Sequence, residues 1–365
     1  MSEWEKVRLG DVCDIQSGGT PSRIIVENWQ ARDRDPLISW VKISDMKQKY
    51  VNSTEEKITS RGLQNSSAKV FPAGTILYTI FATLGEASIL LIDAATNQAI
   101  AGITVPEWIN TDFLYYYLIS IKKQVLNIGR GVAQNNINLS ILRDFQISLP
   151  PMNIQKRIVN ILDAISLIIE KRKEQIKKLD LLVKSRFVGM FGDRTEWTSY
   201  RLGDICELKA GKFISASEIK TDFIEKLFPC YGGNGLRGYV EKYTHEGDFP
   251  LIGRQGALCG NIQYAQGKFY ATEHAIVTCP KIKINTMWLY YELRQMNLNR
   301  LAIGAAQPGL TVEKLNGIII QLPPLALQTR FAEFVKQVDK TKFVAQQGLE
   351  KLELCYKALM QQFFG

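Results

Sequence analysis

Chemistry in this 365-residue chain could come from only a few places. Asp45 with Glu55-x-Lys57 sets two carboxylates near a lysine, the arrangement with which a nuclease holds Mg²⁺. Such triplets arise by chance in any charged chain, and no second feature supports this one. The six cysteines (Cys13, Cys206, Cys230, Cys259, Cys279, Cys355) form no C-x-x-C pair. With only His245 and His274 to help them, a zinc site is not expected, and reduced, buried thiols are. The glycine-rich turns lack the P-loop spacing. A methyltransferase would carry Asn-Pro-Pro or Asp-Pro-Pro before an aromatic residue. This chain has Leu149-Pro150-Pro151-Met152 and Leu322-Pro323-Pro324-Leu325, without the amide or the ring. No catalytic residue and no metal ligand is assigned.

What remains is recognition. Arg, Gln, Asn and Lys are the side chains that read guanine and adenine edges, and glycine lets backbone approach phosphate. On that basis base readout is expected from Lys42, Lys47, Arg130, Gln134 and Asn135 in the first half of the chain. In the second half it is expected from Asn234, Arg237, Arg254, Gln255 and Gln307. Tight turns are the competing explanation for the glycines around them. The net charge of +9 suits a polyanion partner, but the first 151 residues balance to zero, so contacts there require local patches. The most basic stretch is 152–190, where a solvated helix face would look the same.

The elements that must position these loops are written twice. Residues 149–192 and 322–365 match at 11 of 44 places when slid by 173. Both runs start on Pro-Pro and then place apolar residues every three or four positions, which predicts two long helices. The first stripe is Ile154, Ile158, Ile161, Ile165, Ile169, Ile176, Leu179, Val183, Phe187 and Met190. The second is Leu327, Phe331, Phe334, Val338, Leu349, Leu352, Tyr356, Met360 and Phe363. At 1.5 Å per residue such helices are too long to bury alone, so a coiled-coil-like antiparallel pair is expected. Asn153 is a plausible helix cap, replaced by Ala326 in the second copy, and Gly348 interrupts the second helix where the first has Gln175.

The repeat continues outside the helices. Trp4 and Arg8-Leu9-Gly10-Asp11 return as Trp197 and Arg201-Leu202-Gly203-Asp204, and Phe113-Leu114-Tyr115-Tyr116 returns as Trp288-Leu289-Tyr290-Tyr291. The offset shrinks from 193 to 175 between these matches, so the first unit carries extra residues, mainly between Thr20 and Gly74. Short strands such as 75–78 and 275–278, and one helix over 112–125 with a counterpart near Met287, predict an α+β fold. The expected domains are 1–150, 151–192, 193–321 and 322–365. The start of the chain lacks a secretory signal, and the most apolar stretch, 73–95, carries Glu86 and Asp93 and reads as strands. A soluble cytoplasmic protein with no membrane contact is therefore expected.

These residues resemble a known family. Trp40-Val41-Lys42-Ile43-Ser44-Asp45-Met46, Gly74-Thr75-Ile76-Leu77, Gly85, Asn97-Gln98-Ala99, Gly131-x-x-Gln134 and Leu149-Pro150-Pro151-x-x-x-Gln155 follow one another in the first half. Tyr231-Gly232-Gly233-Asn234-Gly235, Gly253-Arg254-x-Gly256, Glu273-His274-Ala275, Gly304-x-x-Gln307 and Leu322-Pro323-Pro324-x-x-x-Gln328 follow in the second. Their order and duplication resemble the DNA specificity subunits of type I restriction-modification systems. The resemblance implies two target-recognition domains joined by two antiparallel helices with pseudo-twofold symmetry, each domain reading half of a split double-stranded DNA target. It further implies a chain that binds no cofactor and has no catalytic site. Such a chain docks two modification subunits, which bind S-adenosylmethionine, and two restriction subunits, which use ATP and Mg²⁺. A self-sufficient DNA-binding regulator is the alternative from the residues alone.

Overall fold

The computed structural model describes residues 4–30, 36–130, 136–193, 196–256, 258–302 and 309–365. The chain divides into two compact units, Met1–Arg172 with Gly348–Gly365, and Lys173–Gln347. Each contains one globular α+β domain and segments of both long helices.

In the first unit a five-stranded sheet runs in the order Asp14–Ser17, Ile100–Thr104, Ile76–Thr79, Ala87–Leu90, Tyr50–Val51. A four-stranded sheet runs Glu56–Thr59, Leu37–Val41, Ala94–Thr96, Val70–Phe71, and a short ribbon joins Glu5–Arg8 to Gln146–Leu149. The second unit repeats the plan. Cys206–Ala210, Ala275–Pro280, Phe249–Gly253 and Ile262–Ala265 form one sheet, and Gly235–Val240, Phe228–Gly232, Lys268–Ala271 and His245–Glu246 form the other. Thr198–Arg201 with Ile319–Leu322 makes its ribbon. The register fixes the equivalence: Ile15 opposes Ile103 as Leu208 opposes Thr278, and Val41 lies beside Thr96 as Tyr231 lies beside Ala271. Most of the length difference therefore falls between Val41 and Ile80. It includes the edge strand Tyr50–Val51, which pairs parallel to Ala87–Leu90.

The long helices span Met152–Phe191 and Leu325–Phe364, 40 residues each. Both begin after the second proline, whose carbonyl accepts the first helical bonds: Ile154 and Gln155 N–H on Pro151 O, Leu327 and Gln328 N–H on Pro324 O. Asn153 is thus the second helical residue and not the cap, because proline already holds that position. The helix is continuous through Gly348. In the first unit Ile158, Val159 and Leu162 near the start of the first helix share a core with Met360, Tyr356 and Phe363 near the end of the second. In the second unit Val183, Phe187 and Phe191 share one with Phe331, Val335 and Val338. Within each unit the helices therefore run antiparallel. Ile161, expected in the stripe, is exposed, and Leu162 is buried instead.

Two further expectations change. The run 112–125 is not one helix but two, Thr111–Ser120 and Lys122–Arg130, while its counterpart is the single helix Thr286–Gln295. All six thiols are free, but Cys355 is exposed on the outer face of the second long helix and Cys279 is only half-buried at the margin of a small core in the second unit. Burial pushes the Cys13 thiol up to about 12. Among the described residues no helix is long and apolar enough to cross a membrane.

Candidate nucleic-acid interface

The motif that ends each domain is a brace. Gln155 is 2 % exposed; its Oε1 accepts from Asn110 N–H at 2.8 Å and its Nε2 donates to Pro150 O at 2.9 Å. Gln328 repeats both bonds, from Asn285 N–H at 2.9 Å and to Pro323 O at 2.8 Å. Asn110 and Asn285 in turn cap the helices that follow them. One buried amide thus ties the start of the long helix to the start of the domain helix, and every polar atom of its side-chain carboxamide reaches backbone. The Leu-Pro-Pro-x-x-x-Gln spacing exists because helix position and proline carbonyl must both meet that amide.

With the ends fixed, polar side chains of the second domain gather where Phe228–Gly232 and the parallel strand Lys268–Ala271 end. Thr272 N–H donates to Tyr231 O at 2.9 Å, and Arg254 N–H donates to His274 O at 2.9 Å. The backbones come so close that a Cβ on Gly233 would lie 2.8 Å from His274 O and one on Gly253 would lie 2.3 Å from Gly233 O. Only glycine fits there, which explains the Gly-rich segments without assigning them a ligand. On this frame Asn234 Oδ1 accepts from Asn261 Nδ2 at 3.3 Å, and the Arg237 side chain lies over Gly232. Gln255 Oε1 meets His274 Nδ1 at 3.1 Å, and His274 Nε2 meets Glu273 Oε1 at 3.2 Å. Asn234, Arg237, Arg254 and Gln255 are therefore brought together. Glu273, His274 and Asn261 stand with them and were not expected there, although Glu273-His274 lies inside a repeated motif. Gln307 lies outside the described residues; Gln255 itself bridges to Gly309.

The first domain builds the same frame. Asn97 N–H donates to Val41 O at 3.4 Å, Ile80 N–H to Ala99 O at 2.9 Å, and Ile137 N–H to Ile80 O at 3.0 Å. By these bonds Ile80 takes the place of Arg254, Phe81 that of Gln255 and Ala99 that of His274. The charge is arranged differently. Lys42 follows Val41, but its ammonium turns to Glu55 Oε2 and Glu56 Oε1, each at 2.8 Å. Those hydrogen bonds, Glu55's first, raise its pKa. Asp45 Oδ2 accepts from Lys42 N–H at 2.8 Å. Asp45 and Glu55, the carboxylates of the Mg²⁺ arrangement, are thus engaged within their own loop, and no acidic or metal-ligating cluster occurs among the described residues. Lys47 is exposed beside a cleft lined by Ser44, Gln48 and Asn52. Gln134 and Asn135 lie outside the described residues, and of Arg130 only the backbone is described, at the end of its helix.

Residues 1–178 and 194–354 match the family described as Type I restriction modification DNA specificity domain. The chain belongs to that family. It is 32% identical over 358 residues to the type I restriction enzyme EcoprrI specificity subunit of Escherichia coli, covering 92% of this chain and 88% of that one. It is 23% identical to the MjaIX specificity subunit of Methanocaldococcus jannaschii over 100% of this chain and 93% of the relative. The S subunit of a type I restriction-modification system from M. genitalium shares the fold, with a TM-score of 0.66 at 19% identity over 99% of this chain and 96% of that one. A chain from a structure of type I complex assembly and conformational transition does so with a TM-score of 0.64 at 20% identity over 100% and 98%. The function is that of a type I DNA specificity subunit, and the α+β fold with two repeated domains and long helices is the family's.

Proposed function

We propose that each globular domain reads one half of a split double-stranded DNA target through the loop edge just described, and that the long helices set the unread gap. One observation carries this reading: the same backbone edge is built in both units, yet the side chains at its equivalent places differ, an exposed Phe81 against Gln255 and a buried Ile80 against Arg254. A repeated frame with divergent display suits two readers of different half-sites. In this reading Lys42, Lys47, Arg130, Gln134 and Asn135 serve one half, and Asn234, Arg237, Arg254, Gln255 and Gln307 the other. The chain carries no catalytic group or cofactor. Two modification subunits dock on it and supply S-adenosylmethionine chemistry on adenine; two restriction subunits add ATP and Mg²⁺. The complex works in the cytoplasm, away from membrane.

The discriminating experiment is purification from cells followed by sequencing of the modified DNA. A methyltransferase subunit should copurify and the marks should define two half-sites with a fixed gap. Purification alone, with tight binding to one uninterrupted site, would support a self-sufficient regulator instead.

A further inference from the structure

The loop that follows Ile76–Thr79 holds an aromatic ring in solvent at a backbone position where the second domain holds Gln255. Phe81 is 47% exposed. Its backbone bridges to Asn136, as Gln255 bridges to Gly309. The next residue, Ala82, has φ 63, and Thr83 N–H closes back on Phe81 O at 2.9 Å. A three-residue turn through the left-handed region is one that side-chain-bearing residues rarely adopt. The equivalent residue in the second domain is Gly256, with φ 88, where glycine adopts it freely.

The strained turn persists because its surroundings dictate it. Thr79 Oγ1 accepts from Glu86 N–H at 2.9 Å and donates to Thr83 O, Gly85 N–H donates to Thr79 O at 3.0 Å, and Lys122 pairs with Glu86. Strain at a loop tip held this firmly marks a side chain that is being presented. The presented side chain is apolar.

We propose that Phe81 reads a thymine in the half-site of the first domain by packing on its C5 methyl group, an inference that rests on the loop-edge reading above. Thymine's methyl is the one apolar group on a base edge in the major groove, so a phenyl ring can select it and gains nothing from the other bases. The ring is half covered by its own domain, which leaves a face free for contact with a methyl group. Gln255 at the same place carries an amide suited to adenine, so the two domains use one position for different bases.

The test uses the chain in complex with its methyltransferase partner and duplexes bearing the target found by methylation mapping. Each thymine is replaced in turn by deoxyuridine, which removes only the methyl. One replacement should weaken binding roughly fourfold, the effect of one buried methyl. Phe81→Ala should bind the thymine duplex about that much more weakly and lose sensitivity to that replacement, while Phe81→Leu should keep it. A two-part target in which no thymine is sensitive overturns the proposal, even if the variants fail to fold. A sensitive thymine that stays sensitive in Phe81→Ala also overturns it, as does a Phe81→Ala chain that loses its partner subunit while reading DNA normally. Absence of any two-part target would instead be a failure of the underlying reading.

Discussion

Both units seat a β-rich domain on long-helix segments, but with different chemistry. In the first, Lys49 is 17% exposed and its Nζ sits 2.8 Å from Asp112 and 2.6 Å from Asp163 on the long helix. Tyr50 Oη donates to Asp112 and Tyr116 Oη to Asp163, and the ammonium lies 4.6 Å from the Tyr116 ring centre. In the second unit the repeat places Met287 and Lys336 where the two aspartates would be. Packing there is aromatic: the Phe331 ring lies 5.2 Å from Phe187, 5.6 Å from Phe191 and 5.2 Å from Tyr291. The difference traces to the extra segment, since Lys49 immediately precedes the edge strand Tyr50–Val51 that the second unit lacks among its described residues. A duplicated fold can keep its backbone clamp, Gln155 or Gln328, and replace everything around it.

The comparison predicts a graded series, each member read by hydrogen exchange in the helix segments of its own unit. Phe331→Ala should cost most, about 3–5 kcal/mol, because a fully buried ring leaves a cavity among three others. Exchange should rise in the second unit and stay unchanged in the first. Lys49→Met should cost about 2 kcal/mol, since two partly exposed carboxylates lose their shared cation but keep some water. A neutral outcome would mean that the node orients the domain without stabilising it. Gln155→Leu and Gln328→Leu should each cost about 1–2 kcal/mol, and equally, because each strands one backbone N–H and one carbonyl. Unequal costs would break the claim that the motif is one device used twice. Smallest, Gly189→Ala should stabilise its unit by up to about 0.5 kcal/mol, because an added Cβ meets nothing within 4 Å and the last turn of the helix gains only part of the interior preference for Ala over Gly.

Lys49 also makes a pH signature. Burial alone would lower its pKa, but the bonds to Asp112 and Asp163 more than offset this and leave it raised. A cation whose folded pKa exceeds the unfolded one contributes stability that is complete below about pH 10 and lost as pH rises through the folded value. Alkaline titration should therefore loosen the first unit in the wild type, and Lys49→Met should flatten that part of the profile.

Much of the architecture was legible because duplication is a pattern in sequence: the two helices, their proline starts and the extra length of the first domain are all visible there. Asn153 misled because Asn is a common cap, whereas the carbonyl of Pro151 had already taken that place. Ile161 misled because a stripe defines a face only to within a residue, and Leu162 was the one that packed. The Lys49 node was invisible, since its members lie far apart in the chain and meet only by folding. Lys42 was expected at the edge by residue type, but type does not reveal that Glu55 and Glu56 are within reach. Phe81 escaped because an apolar residue after a strand reads as core. Only the register, which makes it the counterpart of Gln255, and the left-handed Ala82 single it out.

The most direct test of the account is methylome sequencing of cells carrying this chain with its partner subunits, compared with the Arg254→Ala variant. The account predicts a two-part target with a fixed gap, in which the variant relaxes one base of one half-site, with a cost of about 1–3 kcal/mol, and leaves the other half untouched. Relaxation in both halves, or a single uninterrupted site in the wild type, would contradict the claim that two copies of one frame read two different half-sites.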